Sequence, residues 1–89
     1  MSEKISGAQM RAARALLRWT AVDLAKASKV GVATIRRVEV IDGEISATAA
    51  NQAALRRALE YAGVEFIEEN GGGAGVRLRK PSEKQPKIK

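Results

Sequence analysis

Apolar positions in this chain follow two periods. Up to about residue 62 they recur every three to four residues, the spacing of an amphipathic helix; from residue 64 they alternate, the spacing of a strand. Ser6-x-x-Gln9 has capping-box form: the Ser oxygen can accept a backbone N–H while Gln9 reaches back. The helix that follows is predicted to run to about residue 17, with Ala13, Leu16 and Leu17 at core spacing and Arg11, Arg14 and Arg18 at polar positions. Thr20-x-x-Asp23 opens a short second helix over about 21–28, with Leu24 and Ala25 inward. Trp19, the single Trp, reads as a core anchor. Lys29-Val30-Gly31 forms a turn, and a third helix is predicted over about 32–40. Its Ile35 and Val38, three apart, share the inner face.

Residues 41–47, IDGEISA, read as a loop around Asp42-Gly43. Ser46 or Thr48 then caps a longer helix to residue 62, with Ala54, Leu55, Ala58, Leu59 and Ala62 as its apolar stripe and Gly63 as its terminator. VEFIE (64–68) and VRLR (76–79) alternate on either side of NGGGAG (70–75), which predicts a β-hairpin. Val64 and Phe66 share a face with Val76 and Leu78, and Glu65 lies opposite Arg77 or Arg79 according to register. Two strands alone are marginal in water, so the hairpin packs on the helices, pairs with another chain, or does both. KPSEKQPKIK (80–89) has two prolines and few apolar side chains, and is expected to be a disordered basic tail. The chain thus divides into a helical domain at 1–63, a hairpin at 64–79 and the tail.

Composition narrows what such a domain can do. The chain has 89 residues, enough for one small domain with a modest core. Its formal charge of +6 favours an anionic partner, nucleic acid ahead of a membrane surface. The charge is uneven: residues 1–43 carry eight Lys/Arg against four Asp/Glu, 44–69 two against five, and 70–89 six against one. Cysteine and histidine are absent, which excludes disulfides, thiolate or imidazole metal ligands, and any Cys or His nucleophile or general base. NGGGAG lacks the Lys and the helix of a phosphate-binding loop, and the carboxylates are scattered. No enzyme activity, metal or cofactor is expected. No apolar run approaches the ~20 residues of a membrane span and the start lacks a signal-peptide core, so a cytoplasmic location without membrane association is expected.

The middle of the chain carries the strongest signal. With Ala21 as position one, small or apolar residues fall at positions 4 (Leu24), 5 (Ala25), 8 (Ser28), 10 (Val30), 15 (Ile35) and 18 (Val38). Two short helices crossing steeply need a small residue where they touch, here Ala25, and an apolar plug in the turn, here Val30. TAVDLAKASKVGVATIRRVE (20–39) resembles the helix-turn-helix of the XRE family, the Cro and phage lambda repressor type. The resemblance spans about residues 8 to 62 and implies a mainly α, lambda-repressor-like bundle of four to five helices with a C-terminal β-hairpin.

It further implies that the third helix enters the major groove of double-stranded DNA with its N-terminal end leading. Val32, Ala33, Arg36 and Arg37 share the face that DNA would meet. Arg37 is the candidate for guanine O6 and N7, Val32 and Ala33 for thymine methyls, and Arg36 for a base or a phosphate. The phosphate set is Arg18, Thr20, Ala21, Lys29, Thr34, Ser46 and Thr48; at Thr20 and Ala21 the free amides of a helix N-terminus are what serve. The family often has Gln at the position of Ala21 and Gly at those of Arg18 and Lys29, so this chain has one phosphate-binding side chain fewer and two cations more. The resemblance also implies an Arg14–Glu39 salt bridge bracing the first helix against the third; an in-helix Glu39–Arg36 contact is the alternative. A homodimer is expected because one module reads too few base pairs for tight, selective binding. Its seam is either the hairpin (Val64, Phe66, Val76 and Leu78) or the 48–62 helix through Leu55 and Leu59. Two functions remain open: a small sequence-specific repressor of a bacterial, phage or mobile-element promoter, or an antitoxin or antiactivator-type module that binds a protein partner and DNA only secondarily.

Overall fold

The computed structural model describes residues 4–79. Four helices, α1 (Gly7–Leu17), α2 (Ala21–Ser28), α3 (Val32–Glu39) and α4 (Ala49–Tyr61), precede an antiparallel hairpin of β1 (Val64–Ile67) and β2 (Gly75–Leu78). They share one core built on Met10, Leu24, Ile35, Val38, Leu55, Leu59 and Val64, all fully buried.

The capping boxes set the helix starts. Ser6 Oγ accepts the Gln9 amide and Gln9 Oε1 accepts the Ser6 amide, both at 3.0 Å. Thr20 and Asp23 repeat the exchange for α2 at 3.1 and 2.9 Å. Thr48, not Ser46, caps α4, its Oγ1 accepting the Asn51 amide at 3.1 Å. The amides of Gly7 and Ala8 donate to the carbonyls of Gly43 and Asp42 at 2.9 and 3.2 Å, so the post-α3 loop closes the first turn of α1 in place of water. Only glycine fits at position 7, because a Cβ there would strike the Ile41 carbonyl oxygen. Beside this seam the Ile45 amide donates to the Ile5 carbonyl at 3.4 Å, and both isoleucines are buried.

Several sequence expectations are corrected. Along α1 the inner stripe is Met10, Ala13 and Leu17; Leu16, about 100° round the helix from Leu17, is 41% exposed. Trp19 packs against the core as expected but is only half-buried, and with Ala27, Ala58 and Tyr61 it walls an open groove of about 980 Å³. α3 stops at Glu39, one residue short of expectation. Leu55 and Leu59 are fully buried in their own core, so they cannot form a dimer seam on α4.

The hairpin pairs Val64 with Leu78, Glu65 with Arg77 and Phe66 with Val76. Its apolar face packs on α1 and α4. Val64 is fully buried there and is closed to a partner's side chains; Phe66 and Val76 pack at the edge of the core, and Leu78 remains 47% exposed. Gln9, already in the α1 cap, also donates from Nε2 to the Gly75 carbonyl at 3.0 Å, tying α1 to the hairpin. The Arg56 guanidinium lies 4.9 Å from the Phe66 ring centre and clasps α4 to β1. The expected tail at 80–89 lies outside the described residues. Among those residues, no helix is long and apolar enough to cross a membrane.

Candidate nucleic-acid interface

The turn between α2 and α3 is built from its backbone outward. Ser28 closes α2 and Lys29 enters the left-handed region at φ 66°, ψ 19°. The Lys29 amide donates to the Ala25 carbonyl at 2.8 Å. Ser28 Oγ, buried, accepts the Val30 amide at 3.1 Å. Val30 is 5% exposed, so it does plug the turn. Gly31 is the N-cap of α3 and offers no side-chain hydrogen bond; its carbonyl accepts the Ile35 amide at 3.1 Å. Arg18 repeats the left-handed conformation after α1 at φ 59°, with its own amide donating to Ala15 and the Trp19 amide to Arg14. That pair of bonds is a Schellman ending made without glycine.

α3 turns Ile35 and Val38 fully inward and leaves Ala33, Arg36 and Arg37 exposed. Val32 is half-buried and packs against the core, which leaves less of it for a ligand, and Thr34 is half-buried too. The exposed face is therefore narrower than expected: one methyl and two guanidinium groups.

Charge singles out this part of the molecule. Residues 18–37 contain five cations, Arg18, Lys26, Lys29, Arg36 and Arg37, and one carboxylate, Asp23. None of the five lies within 4.0 Å of a carboxylate among the described residues. Outside this stretch most of the described arginines are engaged, Arg56 with Glu60 at 3.0 Å and Arg77 with Glu65 at 2.7 Å among them, while Arg57 is exposed on α4. The Arg77 hydrogen bond and charge hold the Glu65 carboxyl below its ordinary pKa.

The expected phosphate residues fall at helix starts and ends. Thr20 and Thr48 are exposed caps, Ser46 is exposed in the loop before α4, and Arg18 and Lys29 follow the ends of α1 and α2. The Ala21 side chain is buried, which leaves only its backbone N–H for an anion. Asp23 puts a carboxylate at the same helix start, where it competes with any incoming phosphate.

Arg14 and Glu39 fix how α3 is held. Arg14 Nε donates to Glu39 Oε2 at 2.8 Å and Nη2 to Oε1 at 2.7 Å, a bidentate pair, while Nη1 donates to the Trp19 carbonyl at 2.9 Å. The Glu39 hydrogen bonds hold the Arg14 guanidinium above its ordinary pKa, outweighing its partial burial. Glu39 is 6% exposed, so its charge is satisfied inside the fold and does not face solvent beside the arginine pair. Arg11, marked in the sequence only as a polar position, bonds the Glu39 carbonyl and the Asp42 carboxylate. Two arginines of α1 thus grip the end of α3 and the loop after it. The signal was present in the spacing, since Arg11 and Arg14 are three apart on one face, but the carbonyl acceptor is not readable from sequence.

Among the described residues, no group of three or more acidic, His or Cys side chains could hold a metal ion. No family model matches the chain, and no characterised protein matches it in sequence.

Proposed function

We propose that this chain is a sequence-specific DNA-binding regulator of the lambda-repressor-like, XRE type: a small repressor that reads a palindromic operator as a homodimer in the cytoplasm. The observation that carries the reading is the Arg36–Arg37 pair, exposed on a helix that buries Ile35, Val38 and Glu39 on its other face, with no carboxylate within 4.0 Å among the described residues. A surface helix with two adjacent unpaired guanidinium groups repels itself and is stabilised by an anion. α3 has only eight residues and would not hold its shape alone. Ile35, Val38 and the Arg14–Glu39 pair make it a rigid support for those groups. In this reading Arg37 addresses guanine, Ala33 and the exposed part of Val32 meet thymine methyls, and Arg36 reaches a base or phosphate. Arg18, Lys29, Thr20, Thr48, Ser46 and the Ala21 amide set the register on the backbone.

A titration of duplex fragments from upstream of the chain's own coding sequence, repeated at several salt concentrations, tests this. Nanomolar binding to one fragment with a steep inverse salt dependence is expected. Equal, weak binding to every fragment would remove the operator from the account. The second reading, an antitoxin or antiactivator module, draws on Tyr61, 94% exposed beside the groove walled by Trp19. Under it a protein partner co-purifies with the chain and is released by Tyr61→Ala.

A further inference from the structure

Asparagine occurs in the chain at positions 51 and 70, and aspartate precedes glycine at position 42. At each place the following backbone nitrogen can attack the side-chain carbonyl carbon and close a five-membered imide. The fold decides which of them is at liberty to do so. Asn51 lies in the first turn of α4, where the Gln52 amide donates to the Thr48 carbonyl at 2.9 Å, so the attacking nitrogen is committed to the helix. Asp42 is pinned from both sides. Arg11 bonds its carboxylate, its carbonyl accepts the Ala8 amide at 3.2 Å, and the Gly43 carbonyl accepts the Gly7 amide at 2.9 Å.

Asn70 has none of these restraints. It stands in the 68–74 turn between β1 and β2, every residue of which is exposed. Among the described residues, neither Asn70 nor the Gly71 amide takes part in a hydrogen bond. Gly71 has φ +98° and Gly73 has φ +86°, backbone that glycine takes readily and other residues rarely do. Gly71, Gly72 and Gly73 in succession let the turn bring the Gly71 nitrogen onto Asn70 Cγ, and Gly71 has no Cβ to obstruct the approach. The Asn70 carboxamide already lies along this backbone: its Oδ1 is 3.7 Å from where a Cβ on Gly72 would stand.

We propose that Asn70 is a self-modification site, at which the Gly71 nitrogen displaces ammonia and water then leaves aspartate or isoaspartate in the turn. The bond from Gly71 N to Asn70 Cγ forms and the Cγ–Nδ2 bond breaks. The Gly71 amide proton leaves with Nδ2 as ammonia. Water opens the imide at either of its carbonyls. Attack at Cγ restores the original main chain and yields aspartate. Attack at the Asn70 main-chain carbonyl breaks its bond to the Gly71 nitrogen and yields isoaspartate, whose main chain runs through Cγ. Either product adds a carboxylate directly after Glu68 and Glu69 and lowers the formal charge from +6 by one. Glu69 Oε2 accepts the Gly73 amide at 3.2 Å, a bond internal to the turn. A like charge beside Glu69 loosens that bond, while the β1–β2 pairs lie outside the turn and are kept. The site stands whatever the chain binds.

The full-length chain and a synthetic peptide of residues 67–75 are incubated side by side at neutral pH, well below the unfolding temperature. Peptide mapping by mass spectrometry follows positions 42, 51 and 70. Asn70 in the folded chain is expected to convert as fast as in the peptide, at least tenfold ahead of Asn51 and Asp42, with isoaspartate among the products. Gly71→Ala should slow the conversion at least tenfold in chain and peptide alike, and the peptide reports this whether or not the variant chain keeps its turn. Conversion at least tenfold slower in the chain than in the peptide would overturn the site, as would Asn51 or Asp42 keeping pace with Asn70. An unchanged rate in Gly71→Ala, or aspartate without isoaspartate, would mean direct hydrolysis of the carboxamide and overturn the imide route. Asn70→Asp carries the new charge from the start. Faster hydrogen exchange at its Gly73 amide, with the strand amides unchanged, supports the loosened turn, and an unchanged Gly73 amide overturns it.

Discussion

Lys29 and Arg18 sit where helices ordinarily end in glycine, both with positive φ. A side chain in that conformation costs roughly 1–2 kcal/mol, partly offset here because each cation lies beside the negative end of a helix dipole. Lys29→Gly should raise stability by about 1 kcal/mol in urea denaturation. If Lys29 meets a phosphate, the same change weakens operator binding and lowers the salt slope by about 1, the value for one phosphate left unneutralised. A rise in both stability and affinity would mean that the cation is merely tolerated. The turn's departure from glycine was legible, because Lys29 stands directly in the motif. The support from Ser28 was not: a serine at the end of a helix commits to the Val30 amide only once the backbone has turned left-handed.

Between elements, the Arg14–Glu39 pair and the Gly7 seam determine how α3 sits on α1. Arg14→Ala leaves the Glu39 carboxylate buried and without its bidentate partner. The expected loss is about 2–3 kcal/mol, below that of a fully buried pair because the Arg14 side chain is 21% exposed. Operator affinity should fall with it, since α3 loses its brace; unchanged stability and affinity would rule the brace out. Gly7→Ala drives a methyl into the Ile41 carbonyl and should cost about 1–3 kcal/mol in thermal unfolding. The hairpin's own ion pair adds a pH dependence. Arg77 holds the Glu65 pKa below its ordinary value, so the stabilisation is complete above that ordinary value and fades as pH falls through the lowered one. Carboxyl NMR titration should place the Glu65 midpoint below the usual glutamate range, returning toward it in Arg77→Ala. Periodicity and capping residues made the six elements legible, because those signals are local. The seam where Gly7 and Ala8 meet the 42–43 loop, and the inward turn of Ile5 and Ile45, depend on contacts across more than thirty residues and left no periodic trace.

At the scale of the whole molecule, the described residues use their charges in two ways. The arginines that join elements are paired, while Arg18, Lys26, Lys29, Arg36 and Arg37 have no carboxylate within 4.0 Å among the described residues. The sequence already displayed the basic first half, but not which cations the fold consumes. Arg14 and Arg36 look alike until one meets Glu39. That difference is the physical basis for proposing α3 as a DNA-reading helix, and one comparison tests it most directly. Affinities for the operator fragment and for a scrambled duplex of equal length are measured at one salt concentration, for the unmodified chain and for Arg37→Ala. The substitution removes an exposed side chain and should leave the melting temperature unchanged. The account predicts that operator binding falls about 10- to 100-fold while scrambled binding changes little, so that the preference collapses. Equal losses on both duplexes, or a preference that survives without Arg37, would contradict it.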